Sequence, residues 1–407
     1  MYILGITTMT DSSAVLLKNG KIIVAVEEER FTRIKHQRGF PRYSIDFILK
    51  KEKISIEDID SVAVYWNPYD LKGRLYYILS LLVNINLFFS KVKRSINVFF
   101  GSKGKEKDGW LDLFFLNTTF KKYYGKKPNK INFYDHHLCH IASSYFISGY
   151  HSSAVLVMDG AGEYACTTLA KVINGKIEII EKINLPNSLG HFYSAVTGYL
   201  GFKMLEDEYK VMGLSSYGEP IYYDWLKKNY LILINSKYYL NSKCLDYHKA
   251  LNGDFSGEIE KNFGKSRNKN EQIKKFHKDF AASAQKIFED ISLKLVKVLK
   301  NKTDLSNLCI VGGCALNCTA NGVISESRIF NNVFIPPSPH DAGAALGAAL
   351  LYYKKNVDHK LNNINYSPYT GPSYENSSVV EILKIKKLNY TIYDDLEKFF
   401  SIASDSI

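Results

Sequence analysis

Three histidines and a cysteine lie within six residues of the sequence, in the segment DHHLCH at 135–140. If this segment is helical, the i, i+4 spacing places His136 and His140 on one face of the helix. Asp135 is then a natural N-cap. Two imidazoles one helical turn apart are a common half of a metal site. The pattern also fits a polar helix end, so this segment alone leaves both interpretations open.

Two carboxylates are candidates to complete such a site. Asp159 directly follows the apolar run AVLVM, and Asp341 begins a stretch rich in Ala and Gly. If the fold brings them to His136 and His140, the four residues form a mixed nitrogen and oxygen donor set that suits Fe, Zn or Mn. Taken singly, Asp159 is also typical of a turn, and Asp341 is typical of a helix cap.

A glycine pair offers a third candidate contact. The motif GGCALN at 312–317 follows the apolar run NLCIV and precedes a helix-like stretch. Glycines at such a turn let backbone N–H groups approach a ligand closely, and a helix N-terminus favours an anion. The motif therefore predicts a place for phosphate or adenosine at Gly312 and Gly313.

The elements that must position these residues repeat along the chain. Residues 2–30 and 152–183 each read as strand, short turn, strand, Asn-Gly turn and strand, and the letters NGKI recur at 19–22 and 174–177. Asn-Gly between apolar runs is the strongest short-range hairpin signal. The repeat predicts an α/β fold with two duplicated lobes, like actin-like and sugar-kinase-like (ASKHA) proteins, with a nucleotide and metal cleft between the lobes.

Composition restricts the class of protein. The 407 residues carry a net charge of +12, and the N-terminus lacks the basic stretch of a signal peptide, so we expect a cytoplasmic protein with reduced cysteines. Much of the lysine excess is scattered, and a nucleic-acid partner is not predicted. The most apolar window, 75–89, is short for a membrane span and includes Asn84 and Asn86. It favours an amphipathic helix or cap, and no membrane span is predicted.

Several motifs together resemble one family. In chain order they are ILGI, VEEERFTRIKH, HHLCHIASSYF, VMDGAGE, SLGHFYSAVTGYLGFKMLEDEYKVMGLSSYGEP, GGCALNCTANG and PPSPHDAGAALGAAL. They resemble the NodU/CmcH carbamoyltransferases, and the resemblance extends from residue 1 to about residue 354. Motifs of this length exclude chance agreement.

The resemblance implies a reaction and residue roles. The family transfers a carbamoyl group to a hydroxyl, often on a sugar, an antibiotic or a lipo-oligosaccharide. The donor is carbamoyl adenylate, made from carbamoyl phosphate and ATP by a YrdC-like domain, while an N-terminal domain resembling the tRNA threonylcarbamoyl synthases performs the transfer.

Fe(II) is the expected metal, with Zn or Mn as alternatives. By motif, the metal ligands are His136, His140, Asp159 and Asp341, the adenosine contacts are Gly312, Gly313 and Asn317, and the catalytic candidates are Asp11, Lys35 and Lys210. The two lysines would stabilise negative charge on the leaving AMP.

One departure concerns the base. The family usually has His-Asp where this chain has Thr10-Asp11. That histidine is the natural acid/base at the acceptor hydroxyl, because it titrates near neutral pH, and threonine cannot replace it. His36 and His191 are the candidate replacements, and the sequence does not choose between them.

The second departure concerns length. We expect residues 1–354 to form the ASKHA-like domain, with lobes at about 1–150 and 151–354, and residues 355–407 to be a linker and the start of a truncated YrdC-like domain. The transferase would then act with a YrdC-like domain in trans or as part of a longer gene product. Two other functions stay open: an inactive remnant that binds metal or nucleotide, as Thr10 suggests, and a tRNA-modifying enzyme of the same superfamily, which the basic charge would suit.

Overall fold

The computed structural model describes residues 1–70, 110–234, 237–241, 246–255 and 258–407. The described chain forms two units, Met1–Pro368 and Tyr369–Ile407. The apolar window at 75–89 lies outside the described residues. In the part that is described, no helix has both the length and the apolar character needed to cross a membrane.

The first sheet is built from the N-terminal half of the larger unit. Its five strands run in the order β3-β2-β1-β4-β5. The strands are β1 (Tyr2–Thr7), β2 (Ser13–Lys18), β3 (Lys21–Glu27), β4 (Ser61–Val64) and β5 (Ile131–Phe133). β1, β2 and β3 form an antiparallel meander, while β4 and β5 pair in parallel fashion beside β1.

The second sheet repeats this topology. Its strands are β6 (Ser152–Met158), β7 (Ala165–Ile173), β8 (Lys176–Asn184), β11 (Asn307–Val311) and β12 (Asn332–Phe334). The order β12-β11-β6-β7-β8 is that of the first sheet read from the other edge, with the same antiparallel and parallel pairings. The predicted duplicated ASKHA-like fold is therefore confirmed. A separate hairpin is formed by β9 (Leu231–Ile234) and β10 (Lys237–Leu240).

The Asn-Gly turns lie where the sequence predicts them. Asn19 and Gly20 have φ of 48° and 80°, and Asn174 and Gly175 have φ of 49° and 73°. Two successive positive φ values are those of a type I′ turn, whose twist matches that of the flanking strands. Both hairpins thus close by the same local chemistry.

Helices pack on both sheets of the larger unit and also form the smaller unit. In the described residues they are α1 (Glu29–Thr32), α2 (Arg42–Glu52), α3 (Leu116–Tyr124), α4 (His136–Tyr145), α5 (Leu189–Tyr199), α6 (Glu208–Ser215), α7 (Tyr223–Tyr230), α8 (Tyr247–Ala250), α9 (Glu258–Phe263), α10 (Lys275–Thr303), α11 (Cys318–Glu326), α12 (Asp341–Asn356), α13 (Asn376–Ile385) and α14 (Leu396–Asp405). The last two belong to the smaller unit, and neither has a buried residue.

The second sheet separates two apolar cores. Val155 and Val157 of β6 join the core that contains the first sheet, α4 and α12, whereas Leu156 joins the core that contains α5 and α10. Alternation along a strand explains this division. Although α12 falls within the sequence range of the second lobe, its residues from Ala344 to Leu350 pack in the core of the first.

Glycines allow α12 to enter this core. A Cβ atom on Gly347 would lie 1.8 Å from the carbonyl oxygen of Cys139 in α4, and one on Gly5 in β1 would lie 2.0 Å from that of Ala345. Backbones that approach this closely have no room for a side chain between them. The close packing fixes the N-terminus of α12 beside α4.

Candidate metal centre

The histidine segment folds as the helix that its spacing predicts. Asp135 is the N-cap of α4, and its carboxylate accepts a hydrogen bond from the Leu138 amide at 2.9 Å. His136 and His140 are fully buried on one face, with their Nε2 atoms 3.1 Å apart. His137 lies on another face, where its Nδ1 is 2.7 Å from the hydroxyl of Thr168.

Both predicted carboxylates meet the histidine pair. Asp159, at the end of β6, has Oδ2 3.1 Å from His136 Nε2. Asp341, the first residue of α12, has Oδ1 3.4 Å from His136 Nε2 and 3.6 Å from His140 Nε2. The candidate ligand atoms of all four residues lie within 4.8 Å of one another. The cluster therefore joins α4 and α12 of the first core to the end of the central strand of the second sheet.

The electrostatics of the cluster favour a cation. Burial works against ionisation, but the neighbouring imidazoles lower the pKa of Asp159 to about 2 and hold that of Asp341 well below its usual range. Burial also disfavours the charged form of His136, yet the carboxylates of Asp341 and Asp159 hold its pKa above the ordinary value. Two ionised carboxylates facing two Nε2 atoms are a donor set that a divalent ion satisfies. Metal binding would displace the proton that His136 otherwise shares with the carboxylates.

Two further groups hold the cluster in place. The Thr10 hydroxyl donates a hydrogen bond to Asp341 Oδ2, and the Gly313 amide donates to Asp159 Oδ1 at 3.1 Å. Such outer contacts orient ligands and tune their basicity. The Nδ1 atoms of His136 and His140 have no hydrogen-bond partner among the described residues, so only their Nε2 atoms are engaged.

Glu163 is a member of the site that sequence reasoning missed. Its carboxylate accepts hydrogen bonds from the amides of His136, at 3.2 Å, and Asn67, at 3.0 Å. Burial raises its pKa to about 7. The sequence does contain one signal for Glu163, because it lies four residues after Asp159 in the segment DGAGE. Its carboxylate faces the N-terminus of α4.

The predicted adenosine contacts occupy a turn against β6. Gly312 has φ of 96°, and a Cβ there would lie 2.2 Å from the Met158 carbonyl oxygen, so only glycine fits. A Cβ on Gly313 would lie 3.1 Å from Asp159 Oδ1, so this glycine leaves the space beside the carboxylate free of a side chain.

Asn317 has its side chain engaged within the protein. Its amide pairs with that of Gln285 through bonds of 2.9 and 3.0 Å, and its Oδ1 also accepts from the Ala320 amide at the start of α11. The side chain therefore caps α11 and ties it to α10. Its contact with adenosine stays a prediction.

The predicted catalytic residues fall into two places. Lys35 and Lys210 come together at Tyr209: their Nζ atoms lie 4.5 and 5.7 Å from its ring centre. Lys35 also donates to the Glu206 carbonyl, and Lys210 pairs with Asp207 at 2.8 Å.

Asp11 is elsewhere, in the turn between β1 and β2. Its Oδ1 lies 2.6 Å from His36 Nδ1. The structure places neither lysine in hydrogen-bond contact with the four-residue cluster, whereas Asp11 directly follows Thr10, which bonds Asp341.

Known proteins are similar in sequence to this chain over nearly its whole length. It is 33% identical over 419 aligned residues to the uncharacterized protein sll1178 of Synechocystis sp., covering 99% of this chain and 66% of the relative. It is 32% identical over 376 residues to the nodulation protein NolNO of Sinorhizobium fredii, covering 92% of this chain and 51% of the relative. The chain thus spans about half to two thirds of the length of these curated relatives.

A solved structure and a family description complete the comparison. Full-length HypF in its phosphate- and nucleotide-bound form aligns with a TM-score of 0.49 at 13% identity, over 88% of this chain and 56% of that one. The family described as Carbamoyltransferase N-terminus matches residues 2–350, which include both sheets and all four residues of the cluster. By this match the chain belongs to the carbamoyltransferase N-terminus family.

Proposed function

We propose that this chain carries the transfer half of an O-carbamoyltransferase. It would move a carbamoyl group from carbamoyl adenylate, made from carbamoyl phosphate and ATP, to a hydroxyl of a sugar or another natural-product acceptor. One observation carries the proposal: a buried His₂Asp₂ cluster lies at the junction of two duplicated sheets in a member of the carbamoyltransferase N-terminus family.

The four residues of the cluster would hold a divalent cation, with Fe(II) expected and Zn or Mn as alternatives. When bound, the cation supplies Lewis-acid polarisation of the carbamoyl donor. The chain's own residues fix the cluster: Thr10 holds the Asp341 carboxylate, and the Gly313 amide holds that of Asp159. Burial of the histidines excludes water from this face of the site.

The nucleotide half of the donor would lie against the glycine turn and the lysine pair. Gly313 leaves space beside Asp159, which gives a phosphate or adenosine access to the cluster. Lys35 and Lys210, gathered at Tyr209, would stabilise the negative charge that develops on the leaving AMP. Because the relatives are longer than this chain, we propose that a YrdC-like domain, in cis or in trans, supplies the adenylate.

The direct test supplies the donor independently of any adenylating domain. The purified chain, loaded anaerobically with Fe(II), receives synthetic carbamoyl adenylate and a panel of sugar hydroxyl acceptors, and carbamoylated product is measured by mass spectrometry. We expect product from the wild type and none from His136→Ala. His137→Gln is the matched control, because His137 lies on the same helix but contacts Thr168 instead of the cluster. It should keep both metal and turnover.

A second candidate, an inactive remnant, is favoured by one observation: Thr10 stands where the family has its histidine, and its hydroxyl is bonded to Asp341. Thr10→His distinguishes the two. Turnover in the wild type supports the transferase. No product from the wild type together with product from Thr10→His would show that this chain is a decayed enzyme and would refute the proposal.

A further inference from the structure

A histidine and an aspartate that are far apart in sequence form a close pair beside the metal cluster. Asp11 Oδ1 lies 2.6 Å from His36 Nδ1, and their side chains are 17% and 30% exposed. No described residue hydrogen-bonds the other ring nitrogen, Nε2. A carboxylate on Nδ1 fixes the tautomer and orientation of an imidazole and leaves Nε2 as the atom that can take a proton.

The backbone around this pair is firmly held. The Ser12 amide donates to the Gln37 carbonyl at 2.9 Å, the Gly39 amide to the Thr8 carbonyl at 2.8 Å, and the Ser12 hydroxyl to the Gly39 carbonyl at 2.6 Å. These bonds tie the turn that contains Asp11 to the segment that contains His36. The imidazole is thus positioned by main-chain contacts as well as by the carboxylate.

Both members of the pair have left-handed backbone conformations. Asp11 has φ of 43° and His36 has φ of 54°. Residues other than glycine adopt such conformations at an energetic cost, and they cluster at functional sites where the surrounding structure holds them. The Glu29 carboxylate helps to hold this conformation, because it accepts a hydrogen bond from the His36 amide at 2.9 Å.

A single residue, Thr10, links the pair of Asp11 and His36 to the four-residue cluster. Thr10 directly precedes Asp11, and its hydroxyl donates a hydrogen bond to the Asp341 carboxylate. Its hydroxyl group is a far weaker base than an imidazole, so the position where the family has a histidine offers no base. Hydrogen bonds hold the imidazole of His36 to this same turn.

We propose that His36 is the general base of the transfer reaction and that Asp11 is its positioning residue. This inference rests on the carbamoyl transfer proposed above. The acceptor hydroxyl gives its proton to His36 Nε2 as its oxygen forms a bond to the carbamoyl carbon. The bond between that carbon and the adenylate oxygen breaks, and its electron pair leaves with AMP. The proton then passes from His36 to solvent.

The charges that face His36 set the pH at which it can act. The hydrogen bond that His36 donates to Asp11 raises the pKa of His36 above the ordinary value, burial and the charge of Lys35 lower it, and the charge of Glu206 raises it. The net direction is upward. Because a base works only when unprotonated, kcat/KM for transfer should fall as the pH drops through this raised pKa.

His191 is the competing candidate. Its ring stacks on that of Tyr247, with centroids 3.7 Å apart and planes 6° from parallel, and it packs beside Gly160. This stacking fixes the ring by aromatic contact, whereas the carboxylate of Asp11 orients His36 and raises its basicity. Assigning the base role to His36 or to His191 therefore leads to different predictions.

Asparagine variants separate these roles without straining the backbone. Asparagine tolerates positive φ, so His36→Asn and Asp11→Asn keep the left-handed turns while removing the base and the carboxylate. With synthetic carbamoyl adenylate, His36→Asn should lower kcat/KM about 10²- to 10⁴-fold. Asp11→Asn should lower it less and move the acidic limb of the pH profile to lower pH. The exposed His359 supplies the control His359→Asn, which should leave the profile unchanged.

Nuclear magnetic resonance titration gives a readout that does not require turnover. The His36 ring signals, assigned by their loss in His36→Asn, should report a pKa above the ordinary value in the wild type, and Asp11→Asn should lower it. Unchanged transfer in His36→Asn, or loss of transfer only in His191→Asn, overturns the base assignment while carbamoyl transfer stands. No transfer by the wild type with any acceptor instead refutes the proposed function, and the base role with it.

Discussion

The turn after β1 and the turn after β6 occupy equivalent places in the two sheets, yet their aspartates have different partners. Asp159, at the end of β6, lies 3.1 Å from His136 in the candidate metal cluster. Asp11, after β1, lies 2.6 Å from His36 instead. Among the described residues, the first turn contacts the cluster through Thr10, whose hydroxyl donates a hydrogen bond to Asp341. Duplication therefore supplied two similar turns, and one provides a candidate ligand while the other orients a ligand and a histidine.

This division has a structural consequence. Because the candidate ligands come from α4, α12 and the end of β6, the cluster lies where the first core meets the second sheet. The pair of Asp11 and His36 lies wholly within the first sheet's loops. Loss of Asp159 should therefore weaken metal binding, whereas loss of Asp11 should affect the chemistry and spare the metal.

The sharpest test of the comparison replaces the two aspartates separately. Asp159→Ala should weaken metal binding by at least about 100-fold, since loss of an outer contact alone often costs about 10- to 100-fold. Metal per chain after dialysis, measured by plasma mass spectrometry, gives the result. Asp11→Ala is the matched variant and should retain full metal content. Equal loss in both variants would contradict the division of roles.

The next effect concerns the contact that links the first turn to the cluster. Thr10→Ala removes the hydroxyl that holds Asp341 and should weaken metal affinity about 10-fold. Thr10→Ser retains a hydroxyl and should bind nearly as well as the wild type. Competition titration with a metal chelator measures both. An unchanged affinity in Thr10→Ala would show that Asp341 does not depend on this hydrogen bond.

A third test addresses the close packing of α12 on α4. Gly347→Ala places a Cβ atom against the Cys139 carbonyl, so the helices must move apart, and the free energy of unfolding should fall by about 1–3 kcal/mol. These two helices carry His136, His140 and Asp341, so metal affinity should fall as well. Urea denaturation of the metal-free protein separates the loss of stability from the loss of metal. A variant as stable as the wild type would contradict this account of the packing.

The smallest expected effect comes from a glycine in an open environment. Gly322 lies within α11, and a Cβ atom there meets no other atom within 4 Å. Gly322→Ala should raise the free energy of unfolding by about 0.5–1 kcal/mol, because alanine loses less backbone freedom on folding. The same urea denaturation measures it, and destabilisation would be the contrary result. Comparison with Gly347→Ala tests whether replacing a glycine by alanine lowers the stability only where the added Cβ atom meets closely packed backbone.

Some features of this protein follow from local sequence. The Asn-Gly turns, the continuous apolar strands and the helix capped by Asp135 are set by conformational preferences within a few residues. The spacing of His136 and His140 on that helix follows from the helical period. Repetition of the same hairpin signals then indicates the duplicated fold.

Other features were decided only by tertiary structure. The packing of α12 in the first core, the pairing of Asn317 with Gln285 and the approach of Glu163 to the start of α4 join residues whose local sequences do not mark them as partners. Asp11 and Asp159 both follow an apolar strand, and only the tertiary packing puts Asp159 3.1 Å from His136 and Asp11 2.6 Å from His36. The physical reason is that a turn fixes where a carboxylate begins, whereas the packing of distant helices and sheets fixes what it meets.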